Sequence, residues 1–283
     1  MITLKNEFIT AKFNKKGAEL KSLVCGEKEY IWPGDENVWA SSAPLLFPIC
    51  GGLKDDEYYF GGEKYEMKRH GFVRFFDFEV EKADESSVTF LLRSDEETRE
   101  QYPFDYELRV SYALENKSLK VYYNVKNCSD GKMYFSIGSH EGYYCPEGIE
   151  AYDVLLPQKE TLEATVVEGP VLSHKTEKII ENNDVIHLKN EYFSVDALVF
   201  KDMKARSVVL KHRNSERAIK LSFEGCDYFL IWTKVGAPYV CLEPWCGISD
   251  SVDTDKKLET KEGIMSLSKN STFEVTHIIE VLG

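Results

Sequence analysis

Apolar and polar side chains alternate with a period of two along most of the chain. Ile2 and Leu4, then Ile9, Ala11 and Phe13, alternate with a parity change near Glu7-Phe8, which predicts one strand with a bend or bulge. Glu19 to Val24 and Tyr30 to Trp32 predict short strands, and Trp32-Pro33-Gly34-Asp35 a turn. Trp39 to Phe47 has no clean period, and Leu45 to Ile49 is apolar enough to be buried. Tyr58-Tyr59-Phe60, Gly61-Gly62 and Lys64 to Met67 predict a tight hairpin. Phe76, Phe78 and Val80 alternate out, and Val88, Phe90 and Leu92 alternate back. The longest run, Phe104 to Leu114, turns at Asn116-Lys117-Ser118 and returns through Leu119 to Val125. Residues 150–192 are mixed, with one helical turn expected at Glu177 to Asn183. Alternation resumes in Val195–Phe200, Val208–Lys211, Ala218–Phe223, Phe229–Thr233, Tyr239–Glu243 and Phe273–Val281. Roughly fifteen or more strands, few helices and no βαβ rhythm predict an all-β sandwich of large antiparallel sheets. No repeat, low-complexity tract or linker interrupts it, so residues 1–283 are expected to form one domain.

Composition narrows the partners. The 35 Lys and Arg against 48 Asp and Glu give a net charge of −13, which repels phosphate backbones and anionic lipid surfaces alike. Neither a nucleic-acid nor a membrane partner is expected. The acidic groups are dispersed, and Asp95-Glu96-Glu97 is read as a solvated loop. The N-terminus has neither the basic nor the apolar region of a secretory signal, and no run approaches the ~20 apolar residues of a membrane span. Seven cysteines, an odd count without a CxxC pair, are read as thiols in a reducing cytoplasm and not as a structural zinc site.

The chemistry concentrates in three stretches. Tyr134 to Pro146 (Y-F-S-I-G-S-H-E-G-Y-Y-C-P) is an alternating run that ends in a histidine set among glycines and aromatics. Its His140, and His70 in Arg69-His70-Gly71-Phe72, are each flanked by glycine, which permits close approach and unusual dihedrals. Glu243, in Cys241-Leu242-Glu243-Pro244-Trp245, shares its strand face with Cys241 and Trp245. Burial there raises a carboxyl pKa, which suits a general base. His174, His187 and His212 lie in polar surroundings and read as surface or capping groups, and His277 as a core histidine satisfied by a backbone partner. A glycosidase pair of Glu243 with Glu141 or Asp196 stays open, because nothing in the sequence fixes their separation. No His-x-His or His-x-x-x-His spacing exists, and no metal is expected.

Together these stretches resemble the aldose 1-epimerase (galactose mutarotase) superfamily, nearest to its LacX-like branch. The matching segments are Ser42 to Gly51, His70 to Arg74, Ser136 to Tyr143, Asp196 to Phe200, Cys241 to Trp245 and Gly247 to Asp250, in the family's order. The resemblance implies a supersandwich with a sugar on its concave face and cofactor-free exchange of α and β anomers. Glu243 would be the base on the C1 hydroxyl, His140 the acid on the ring oxygen, and His70 a hydrogen-bond partner beside it. Asp196 would bind sugar hydroxyls, and Trp39, Phe72, Tyr143 or Trp245 would stack on the pyranose. Two departures stand out. Gly52 occupies the place of an arginine usual in the family, which leaves Lys54, Arg69 or Arg74 to supply the donor. Glu141 replaces a common proline and, as a charged neighbour, is expected to raise the pKa of His140. The expected partner is a small sugar, taken by a monomer or homodimer. A hexose-6-phosphate mutarotase and a non-catalytic carbohydrate-binding protein are the alternatives.

Overall fold

The structure is a computed structural model that describes residues 1–283. Its frame is a 14-stranded antiparallel sheet. Its middle is the predicted meander: Ser87–Arg93, Tyr106–Glu115, Ser118–Asn127 and Thr272–Val281 pair in sequence. Tyr106–Glu115 and Ser118–Asn127 bury every second residue, as their alternation requires. A separate four-stranded sheet, Ile2 to Glu29, covers part of the face, with Phe13 packed on Phe90 and Tyr112. Most buried apolar residues form one continuous core, so the chain is an all-β sandwich.

Several local expectations are corrected. Residues 2–13 are not one bent strand but a hairpin of Ile2–Lys5 and Ile9–Phe13. The Asn6 carboxamide oxygen accepts the amides of Phe8 and Ile9 at 2.9 Å each and turns the chain there. Tyr30 to Trp32 is not a strand; only Ile31 makes an isolated bridge, to Tyr143. Asp95-Glu96-Glu97 is not a loop: Asp95 caps the helix Glu96–Gln101 in a reciprocal box with Thr98. The mixed region holds no helical turn at Glu177 to Asn183. It is a hairpin of two 17-residue strands, Tyr152–Glu168 and Val171–His187. Its register slips repeatedly, and each slip breaks the period-two pattern that would have announced it.

All seven cysteines are unpaired thiols. No helix is long and apolar enough to cross a membrane.

Candidate active site

The strand Tyr239–Cys246 is buried at every residue and carries the site. Ile137–Gly138 pairs with its Cys246 and Trp245, and Glu141–Tyr144 with Leu242 to Tyr239. The register is continuous across the gap, so His140 stands opposite Glu243 and Ser139 opposite Pro244. Pro244 has no N–H to give to the ladder, which breaks the strand there. The Ser139 amide still reaches the Pro244 carbonyl at 3.2 Å. Directly opposed residues point to the same face. The His140 Nε2 accordingly lies 3.4 Å from the Glu243 Oε2.

The glycines around His140 serve aromatic packing. A Cβ at Gly138 would stand 2.7 Å from the Trp245 ring, and one at Gly142 would stand 2.8 Å from that of Trp39. Trp245 donates its Nε1–H to the Ser139 carbonyl at 3.1 Å, which fixes the residue before the histidine. Trp39 lies across the His140 ring at 5.3 Å, and Trp232 meets it edge-on at 5.5 Å. His70 closes the other side, its ring perpendicular to His140 at 5.4 Å. His70 adopts φ = 70°, a left-handed conformation rare for a side-chain-bearing residue. Its Nδ1 accepts the Gly51 amide at 3.1 Å, so the neutral ring carries its proton on Nε2.

Burial sets the charges. Glu243 is 1 % exposed, and its carboxyl is held well above the usual range, first by desolvation and then by the charges of Glu141 and Asp196. His140 is pushed down to about 3, again chiefly by desolvation. Glu141 does pull His140 upward, as expected of a charged neighbour, but desolvation outweighs it. His70 falls well below the usual imidazole range through burial and the nearby His140, Arg74 and Arg69. Burial thus favours the neutral forms of both His140 and Glu243, which stand 3.4 Å apart, beside a His70 that is a donor and not an acid.

These groups line a cavity of about 610 Å³, within the range of small-molecule sites. Arg69 spans its wall: Nη1 meets the Asp196 Oδ2 at 3.1 Å, and Nη2 donates to the Gly169 carbonyl at 2.8 Å. Arg74 donates to the Arg69 carbonyl at 2.9 Å.

The aldose 1-epimerase family model matches residues 1–265. This chain belongs to the aldose 1-epimerase family. Within it the chain falls in the LacX-like branch. It is 31 % identical to the plasmid-encoded protein LacX of Lactococcus lactis, over 99 % of both chains. Among solved structures it is similar to a galactose mutarotase related enzyme of Lactobacillus acidophilus. That likeness has TM-score 0.95 and 32 % identity, covering 100 % of this chain and 97 % of the other. A galactose mutarotase-like protein of Lactobacillus casei follows at TM-score 0.94 and 29 % identity, over 99 % of each. Family and neighbours support a mutarotase-like function.

Of the residues expected at the family's sugar site, the cavity gathers Glu243, His140, His70, Asp196, Arg69, Arg74, Trp39 and Trp245. Three others lie elsewhere. Lys54 gives its Nζ to the Val252 carbonyl at 2.7 Å, outside the cavity. Phe72 is 4 % exposed and packs on Phe76 and Tyr102 in the core. Tyr143 has the opposite strand parity to His140 and is 1 % exposed in the core. Glu141 also faces away, which removes it as a glycosidase partner of Glu243. His277 is a core histidine, but its partner is the Glu141 carboxylate at 2.8 Å and not a backbone group.

Gly52 explains the missing arginine. A Cβ there would lie 2.3 Å from the Pro170 carbonyl, because the tip of the long hairpin fills the space. The same tip holds Arg69 through Gly169, so the guanidinium enters from another loop. Sequence reasoning passed over Trp232, Ser249, and Val195 and Val235 at the rim. Trp232 had a signal, since it ends an apolar strand. Its register against Cys241, which aims it at His140, is set only by pairing.

Proposed function

We propose that this chain is an aldose 1-epimerase that interconverts the α and β anomers of a hexose or related aldose. The single observation behind this reading is the buried His140–Glu243 pair, an imidazole and a carboxyl 3.4 Å apart in the lining of a sugar-sized cavity. Glu243 takes the proton of the C1 hydroxyl while His140 delivers one to the ring oxygen. The C1–O bond of the ring breaks, leaving the open-chain aldehyde. Rotation about C1–C2 presents the other face, and closure returns both protons. The productive charge state, anionic Glu243 with protonated His140, differs from the resting one only by proton transfer within the pair. His70 Nε2–H donates to the ring oxygen or an adjacent hydroxyl. Asp196 and Arg69 bind the remaining hydroxyls, and Trp39 and Trp232 offer apolar faces to the pyranose.

A well-placed acid or base contributes about 10²–10⁴-fold, so two suffice for a reaction that already proceeds in water. A hexose 6-phosphate stays the alternative. Arg69 is already shared between Asp196 and Gly169, but Arg74 also lines the cavity, and its Nε has no partner, so a guanidinium is left for a phosphate.

The test is anomer exchange, measured by magnetisation-transfer NMR on a panel of free and phosphorylated aldoses. Acceleration of at least one free aldose is expected. Binding without acceleration of any sugar would leave a carbohydrate-binding protein on this fold.

A further inference from the structure

The Glu141–His277 pair has no part in the reaction above, yet it is placed where it acts on it. Glu141 follows His140 in the strand and so points through the sheet to the opposite face, opposite Leu242. It is 4 % exposed, and its Oε1 meets the Nε2 of His277, itself 3 % exposed, at 2.8 Å. The other oxygen, Oε2, has no hydrogen-bond partner. A buried carboxylate with half of its acceptors unmet opposes stability, and a well-packed apolar residue would serve the fold better. Desolvation, the largest single influence, pushes the Glu141 carboxyl up, but His277 and hydrogen-bonding contributions from its own segment together bring the group below the usual range.

The remaining titratable groups around Glu141 supply no counter-charge. They are Tyr112 and Tyr123 from the meander, Tyr143 of its own strand, and Cys241 across the ladder. Burial pushes all four further toward their neutral forms. On the cavity side, Glu243 faces Asp196, Arg69 and His140.

We propose that Glu141, fixed by His277, is a positioning residue for the reaction: its charge, set behind the strands that carry His140 and Glu243, favours keeping a proton on that pair. It touches no substrate. It acts through the sheet, where the intervening medium is dry protein and the field of one charge is weakly screened. Removing that charge lets the pair lose its proton more readily, and without the proton no acid remains for the ring oxygen.

This inference rests on the mutarotase reading only for its kinetic arm. The direct arm is the Glu243 carboxyl titration, followed by carbon-13 NMR in the unliganded protein. Glu141→Gln is expected to lower the Glu243 midpoint by about half a pH unit or more. The alkaline limb of the exchange rate should move to lower pH by the same amount, with KM little changed. Glu141→Met, which removes the charge and fills the space with an apolar side chain, is expected to shift the midpoint in the same direction. Glu141→Asp should bring it back toward the wild-type value. Should Glu141→Gln fail to fold, the Glu141→Met titration carries the test. A Glu243 midpoint unmoved in the folded charge-removing variants overturns the proposal and leaves the pair a packing feature. A moved midpoint without any anomer exchange overturns the mutarotase reading alone.

Discussion

His140 and Glu243 face each other across one antiparallel register, imidazole Nε2 to carboxylate Oε2 at 3.4 Å. The relation is enforced by backbone pairing on both sides of the break at Pro244, so neither side chain needs to search for the other.

Glu243→Gln removes the base and keeps the shape. Anomer exchange is expected to fall by about 10²–10⁴-fold, while sugar affinity stays within a few-fold. NMR exchange and calorimetric titration on the same variant check this. Unchanged exchange would remove Glu243 from the mechanism.

In the proposed mechanism the His140–Glu243 pair works with one proton. It gains a second only when His140 titrates, at about 3, and loses its own only above the ordinary carboxyl range, because the Glu243 pKa is raised. Exchange should therefore persist into mildly acidic solution and fall on the alkaline side. A pH–rate profile that rises through pH 6 to 7, as for an ordinary histidine base, would contradict this assignment.

Arg69 reaches Asp196 from a loop and lines the cavity proposed to take the sugar. Arg69→Leu is expected to raise KM about tenfold with a smaller change in kcat, since it alters binding more than proton transfer. By contrast, Gly52→Arg should not add an arginine to the site. Its Cβ collides with the Pro170 backbone, and thermal unfolding should report a loss of about 1–3 kcal/mol.

Lys261 and Asp250 form an ion pair at 3.2 Å, each side chain 2 % exposed. Asp250 also accepts the Lys54 amide at 3.0 Å, beside the Gly51–Gly52 segment that supports His70. Lys261→Met leaves the buried carboxylate unpaired, and denaturant unfolding is expected to show about 3–5 kcal/mol of destabilisation. Asp250→Asn with Lys261→Met should recover part of it.

The sandwich was legible because a half-buried strand must alternate, and a meander such as Tyr106–Glu115 with Ser118–Asn127 keeps one face dry throughout. The same alternation already set Glu141 and Tyr143 on the opposite face from His140, although the family resemblance drew Tyr143 toward the sugar. The long hairpin was hidden because its bulges reset the phase, and it is this hairpin whose tip closes the site at Gly52 and Arg69.

By itself, then, the sequence determined most of the strands, the family and the residues proposed as acid and base, because these depend on local periodicity and on residue type. The tertiary structure decided which groups meet. Strand register set His140 against Glu243, the sheet put Glu141 behind them with His277, and Pro170 excluded a side chain at Gly52. Those relations join residues far apart in the chain, and the desolvation that sets their proton affinities exists only once the sheets have packed.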